Sequence, residues 1–152
     1  MKFPHLAIFT LFTLLTVSCG KEVTSTPIDN KPESVRNVTT SVVESGNFKT
    51  LEHSTQGKVS VISDNGISYL QFNQSFKTDS GPDLVVILHR GNVPSKSLKE
   101  QEYVSVAKLQ NIKGSQRYAL PKNVNLADFN SVAIWCRKFN VTFGYASLPK
   151  TN

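Results

Sequence analysis

The chain has 152 residues, 17 lysines and arginines against 11 acidic residues, and a formal charge of +6. Its basic residues are scattered, with no arginine-rich run and no alternation of aromatic and basic residues, which argues against a nucleic acid as partner. Two cysteines and a single methionine, Met1, leave too little for a disulfide framework or a methionine-ligated copper site.

The chain opens MKFPHLAIFTLFTLLTVSCGK. Lys2 gives a short positive region, and Leu6 to Val17 is apolar with only threonines interrupting it. Such a run is too short to cross a bilayer comfortably and fits the core of a signal peptide. Ser18 precedes Cys19, and the LTVSC ending resembles a bacterial lipoprotein signal. Residues 1–18 are therefore expected to be removed, leaving an acylated Cys19, a palmitate-type lipid anchor in the bilayer, as the first mature residue. An ordinary secretory signal cut nearby is the alternative. Each buried methylene of an acyl chain contributes about 0.8 kcal/mol, so two or three chains hold a protein stably. The expected location is the bacterial cell envelope, with the domain facing the periplasm or the exterior.

Gly20 to Ser45 has no sustained hydrophobic period, two prolines, many hydroxyl residues and mixed charges. It cannot bury enough surface to offset its ordering entropy, so residues 19–45 read as a tether spanning on the order of 30 Å. Residues 46–152 are left as one domain with room for a core. Asn37, Asn73 and Asn140 fall in glycosylation-type triplets, which are treated as chance in an envelope protein of this kind.

Within the domain the pattern is all β. Lys58–Ser63 alternates, Asp64-Asn65-Gly66 supplies a tight turn, and Ile67–Phe72 follows, so 58–72 is expected to be a hairpin. Asp83–Arg90 is apolar throughout its middle, as a buried strand would be. Val104–Ile112, Arg117–Leu120, Val132–Cys136 and Phe139–Ala146 continue the series, and Asn123–Asn130 has room for one helical turn. The spacing predicts a single β-sandwich or flattened barrel of about eight mainly antiparallel strands.

The chemistry centres on Cys136, in the stretch SVAIWCRKFNVTFG. If Cys19 is acylated, Cys136 has no partner in the chain. Three readings follow: an inert buried thiol, a reactive redox thiol, or a ligand to a metal or prosthetic group. Alternation places Val132, Ile134 and Cys136 on one face and Ala133, Trp135 and Arg137 on the other. No histidine follows Cys136, and there is no Cys-x-x-Cys or Cys-x-x-Cys-His. His53 and His89 are the only histidines after the signal, each read first as a surface or strand residue. With Cys136 they would form a one-sulfur, two-nitrogen set only if the fold joined three separate segments. Asp64, Asp79 and Asp83 sit beside turn residues and lack calcium-loop spacing. Trp135 and Tyr118 read as core or groove-lining aromatics. No nucleophile–base pair is visible, so a stand-alone enzyme is not expected.

A longer pattern is present. Ser45-Gly46-Asn47-Phe48, His53, Gly57-Lys58-Val59, Leu70-Gln71-Phe72 and Ser80-Gly81-Pro82-Asp83-Leu84 stand in order. Leu109, Gly114-Ser115-Gln116-Arg117-Tyr118, Leu120-Pro121, Ser131-Val132-Ala133-Ile134-Trp135-Cys136 and Phe143-Gly144-Tyr145-Ala146 follow. Together they resemble the DM-thirteen domain over residues 45 to 148. The resemblance implies an all-β domain that occurs beside haem-binding DOMON domains in animals and plants and is proposed to serve electron transfer. Its hallmark is a single cysteine matching Cys136, suggested to act as a naked thiol or to hold a prosthetic group. The expectation is thus a membrane-tethered redox or electron-transfer accessory module with a redox partner protein in the envelope. Cys136 is its working residue, and Trp135, His89 and His53 are secondary candidates. Neither cofactor nor metal is named by the sequence. The alternative is a non-enzymatic surface-binding module with Cys136 as a core residue.

Overall fold

The computed structural model describes residues 41–148. The expected signal peptide, Cys19 and the tether as far as residue 40 lie outside the described residues. In chain order the strands are β1 (Ser41–Thr50), β2 (Thr55–Gln56), β3 (Lys58–Asp64), β4 (Ile67–Phe72), β5 (Lys77–Thr78) and β6 (Leu84–His89). Then come β7 (Tyr103–Lys108), β8 (Gln116–Ala119), β9 (Ser131–Cys136) and β10 (Val141–Ser147). Two single 3-10 turns, Glu100–Glu102 and Leu126–Asp128, are the only helical pieces among the described residues.

Eight strands form one antiparallel sheet in the order β7-β6-β9-β10-β1-β3-β4-β8, and β2 pairs β5 separately. The sheet curls into a nearly closed barrel. Its two end strands, β7 and β8, follow one another in the chain, so the connection 109–115 spans the seam. Tyr118 and Gln116 of β8 hold that connection: the Gln110 amide donates to the Tyr118 hydroxyl at 3.1 Å, and the Asn111 amide donates to Gln116 Oε1 at 3.1 Å. Tyr118 donates in turn to Gln116 Oε1, and Gln116 Nε2 donates to the Asn111 carbonyl at 2.8 Å. Burial raises the Tyr118 phenol pKa above its ordinary value of 10.0, partly opposed by the bond from Gln110.

The β3–β4 hairpin forms as the Asn-Gly pair dictates, with Asn65 at φ 51° and Gly66 at φ 78°. The interior of the barrel is filled by Phe48, Val59, Leu70, Phe72, Val86, Leu88, Val132, Ile134 and Phe143, among others. A second apolar cluster lies on the outer face of β6, β9 and β10: Val85, Ile87, Ala133, Trp135 and Tyr145, covered by Leu98. This explains why β6 reads as an unbroken apolar run. The connection 90–102 is strapped across its outer face, and both faces are dry.

Asn140 anchors that strap. Its Oδ1 accepts from the Leu98 amide at 2.9 Å and from Trp135 Nε1 at 3.0 Å, while its Nδ2 donates to the Leu98 carbonyl at 3.1 Å. The triplet around Asn140 therefore serves packing. Asn73 is likewise structural, its Oδ1 accepting from the Lys58 amide at 2.9 Å.

Several boundaries differ from the sequence reading. β1 begins at Ser41, inside the stretch read as tether, because pairing to β3 recruits a hydroxyl-rich segment that has no period of its own. The strand expected from Phe139 starts at Val141, since 137–140 forms the β9–β10 turn with Asn140 at φ 49°. The strand expected through Ile112 stops at Lys108, where the chain leaves to cross the seam.

Candidate functional site

Cys136 is the last residue of β9 and is fully buried. It is the one cysteine among the described residues and is unpaired. Its neighbours across the sheet are Leu84 of β6 and Val141 of β10. Directly opposed residues in an antiparallel sheet share a face, with β-carbons about 5 Å apart. The thiol therefore faces the barrel interior with Val132 and Ile134, as alternation predicts, and sits between two aliphatic side chains.

Above this row, β10 carries a bulge: Thr142 pairs Trp135 and Gly144 pairs Ile134, which leaves Phe143 as the extra residue. A β-carbon built on Gly81 would lie 3.0 Å from Phe143 Cζ and 2.8 Å from Leu84 Cδ2, so the phenyl ring and the leucine meet against Gly81. Gly144 is required by close approach, since a β-carbon there would lie 2.4 Å from Thr55 Cβ. On the solvent side the His53 ring stacks on Phe143 with centroids 3.9 Å apart, and His53 Nδ1 lies 3.6 Å from Asp79 Oδ2. Asp79, His53 and Phe143 thus form a stack from solvent inward, and the Phe143 ring and Leu84, the cross-strand neighbour of Cys136, both approach Gly81.

The other candidates are distributed differently. His89 pairs Ser131 at the far end of β6, on the outer face, roughly 17 Å along the strand from Cys136. It is buried there, its Nδ1 accepting from the Gly91 amide at 3.1 Å. Trp135 faces outward against Tyr103, with centroids 4.9 Å apart. Arg137, next to the cysteine, turns to solvent and clasps Asp83 through Nε–Oδ2 at 2.8 Å. That carboxylate raises the guanidinium pKa above its ordinary value, and the charge is spent on Asp83 rather than on the thiol. Asp64, Asp79 and Asp83 each serve a separate local contact and do not converge.

These residues do not converge on a multi-ligand metal site at Cys136. Both cross-strand neighbours of the sulfur are aliphatic, the two histidines stand at different places, and no group of three potential ligands is found among the described residues. What the arrangement offers is a bare thiol in an apolar setting, one residue from a solvent-exposed turn. Leu84 and Phe143, which shape its surroundings, give no sign of this in the sequence because apolar side chains carry no chemical signature. The Gly81 and Gly144 close approaches are the only local hint.

A comparison with curated proteins finds no match, and neither does a comparison with solved structures. The model of the family described as "Electron transfer DM13" matches residues 47–148. That span takes in the last four residues of β1, all of β2 to β10, the His53–Phe143 stack and Cys136. With two-thirds of its length matched, the chain belongs to the electron transfer DM13 family.

Proposed function

We propose that the chain is a membrane-tethered electron-transfer accessory module in which Cys136 works as a bare thiol. The family's electron-transfer description supports the reading, and one structural observation carries it further. The domain's single cysteine is placed at the last position of β9 rather than in the middle of the sheet. On this reading, fraying of that strand end brings it to solvent. A lone thiol of this kind exchanges with a disulfide on a partner protein. The thiolate attacks one sulfur, a mixed disulfide forms, and the partner's other sulfur leaves as thiolate. Acylated Cys19 would hold the module to the bilayer on the periplasmic or outer face of the cell envelope, with the residues that follow as its tether.

The second reading is a surface-binding module in which Cys136 is only a core residue. Complete burial among aliphatic neighbours favours it. Thiol labelling of the folded protein separates the two. The redox reading requires labelling in native buffer, abolished by Cys136→Ser; the core reading requires silence until the protein unfolds.

A further inference from the structure

The connections 51–57, 73–83, 109–115 and 137–140 all emerge at one end of the barrel, the end that carries Cys136. The carboxylates there are spoken for. Glu52 pairs Lys96, Asp79 faces His53, and Asp83 clasps Arg137. The lysines are not. Lys77, Lys108, Lys113 and Lys138 are exposed, and none has a carboxylate within 4 Å among the described residues.

Lys77 and Lys113 go further, because they stand directly opposite each other in an antiparallel bridge. Like charges directly opposed on a sheet destabilise it. The same end exposes two large apolar side chains, Phe139 at 63% and Ile112 at 43%. Lys138 Nζ lies 5.8 Å from the Phe139 ring centroid. Uncompensated positive charge around two exposed apolar anchors is a surface arranged for an acidic, partly apolar counterpart.

We propose that this end of the barrel is the docking face for an acidic patch on a partner protein. An anionic bilayer is the competing occupant, and the course of the chain argues against it. β1 enters the barrel at Ser41 at the opposite end and runs roughly 30 Å before reaching the lysine-bearing loops. The point where the tether joins is at the other end, so the face nearest the anchor is not this one. That the acidic partner is the electron partner rests on the redox reading of Cys136; the docking itself does not.

The test uses the full mature chain in non-ionic detergent micelles, with poly-L-glutamate as probe and amide chemical shifts as readout. Binding should perturb 51–57, 73–83, 109–115 and 137–140, and weaken as salt rises towards physiological strength. Combining Lys77→Glu with Lys113→Glu should weaken binding about tenfold or more. Lys122→Glu, at the opposite end, should change it less than about twofold. Lys77→Glu alone turns the opposed like pair into an opposite pair. It should melt at or above the temperature of the unsubstituted protein while binding more weakly, which a purely structural role for Lys77 would not produce. Cys136→Ser should bind unchanged, so failure of the thiol reading leaves this result standing. Polyglutamate binding indifferent to Lys77 and Lys113 would overturn the proposal. So would perturbation of these loops only when the micelles are doped with phosphatidylglycerol.

Discussion

Two residues show how much a single polar group is asked to do here. Asn140 combines a positive φ with three hydrogen bonds that fix the strap over the outer face. Asn140→Ala loses the bonds and adds backbone strain, whereas Asn140→Gly loses only the bonds. The expected cost in denaturant unfolding is about 2–4 kcal/mol for Ala and less for Gly, with Leu98 and Trp135 losing their shared anchor in both. Tyr118 is the second. Its pKa is raised in the folded state by burial, so its contribution is fully present below pH 10.0 and is lost as pH rises through the folded value. Tyr118→Phe should be about 1 kcal/mol less stable at neutral pH, since the Gln110 amide loses its acceptor. The gap between the two proteins should narrow above pH 10 in alkaline unfolding curves. A gap that widens there would contradict the assigned direction.

Among the elements, the hairpin of β3 and β4 and, as separate strands, β6 and β9 were legible from the amino acids. The hairpin announced itself through Asn65-Gly66, β6 and β9 through short runs of β-branched, aromatic and other apolar residues. Less was visible in β1, where Ser41 and the glycine–asparagine pair at 46–47 conceal a strand that exists because β3 and β10 flank it. The two-residue strands β2 and β5 are too short for any period to reveal. Two glycines make the distinction between conformation and space testable. Gly66 has positive φ, but a β-carbon there meets nothing within 4 Å, so Gly66→Ala should cost only about 1–2 kcal/mol of backbone strain. Gly144 lies against Thr55 Cβ and the Lys49 carbonyl oxygen, which would sit 2.7 Å from a new methyl. Gly144→Ala should therefore cost about 3 kcal/mol or more, because β1 and the β2 segment must move. Thermal melts of the two variants compared side by side check this.

At the scale of the whole molecule, the facing of Cys136 could be read from alternation, but its depth and company could not. Those depend on which strands flank β9, and pairing between segments some fifty residues apart leaves no local mark. The same dependence placed His89 at the wrong end for a shared site and put His53, from a loop, over Phe143. The result is a barrel with its thiol sealed in the apolar interior near one end, beside Leu84 and Val141, and with uncompensated lysines around that end. The central claim is that this seal opens locally, without unfolding the barrel, and it is tested by the rate at which an aromatic disulfide reagent labels Cys136 in the mature protein as urea is raised. Local opening exposes little surface, so the account predicts measurable labelling in native buffer with a shallow urea dependence, steepening only near the unfolding transition. Cys136→Ser should remove the signal. A native rate lying on the steep extrapolation from global unfolding, or no labelling before the transition, would contradict it.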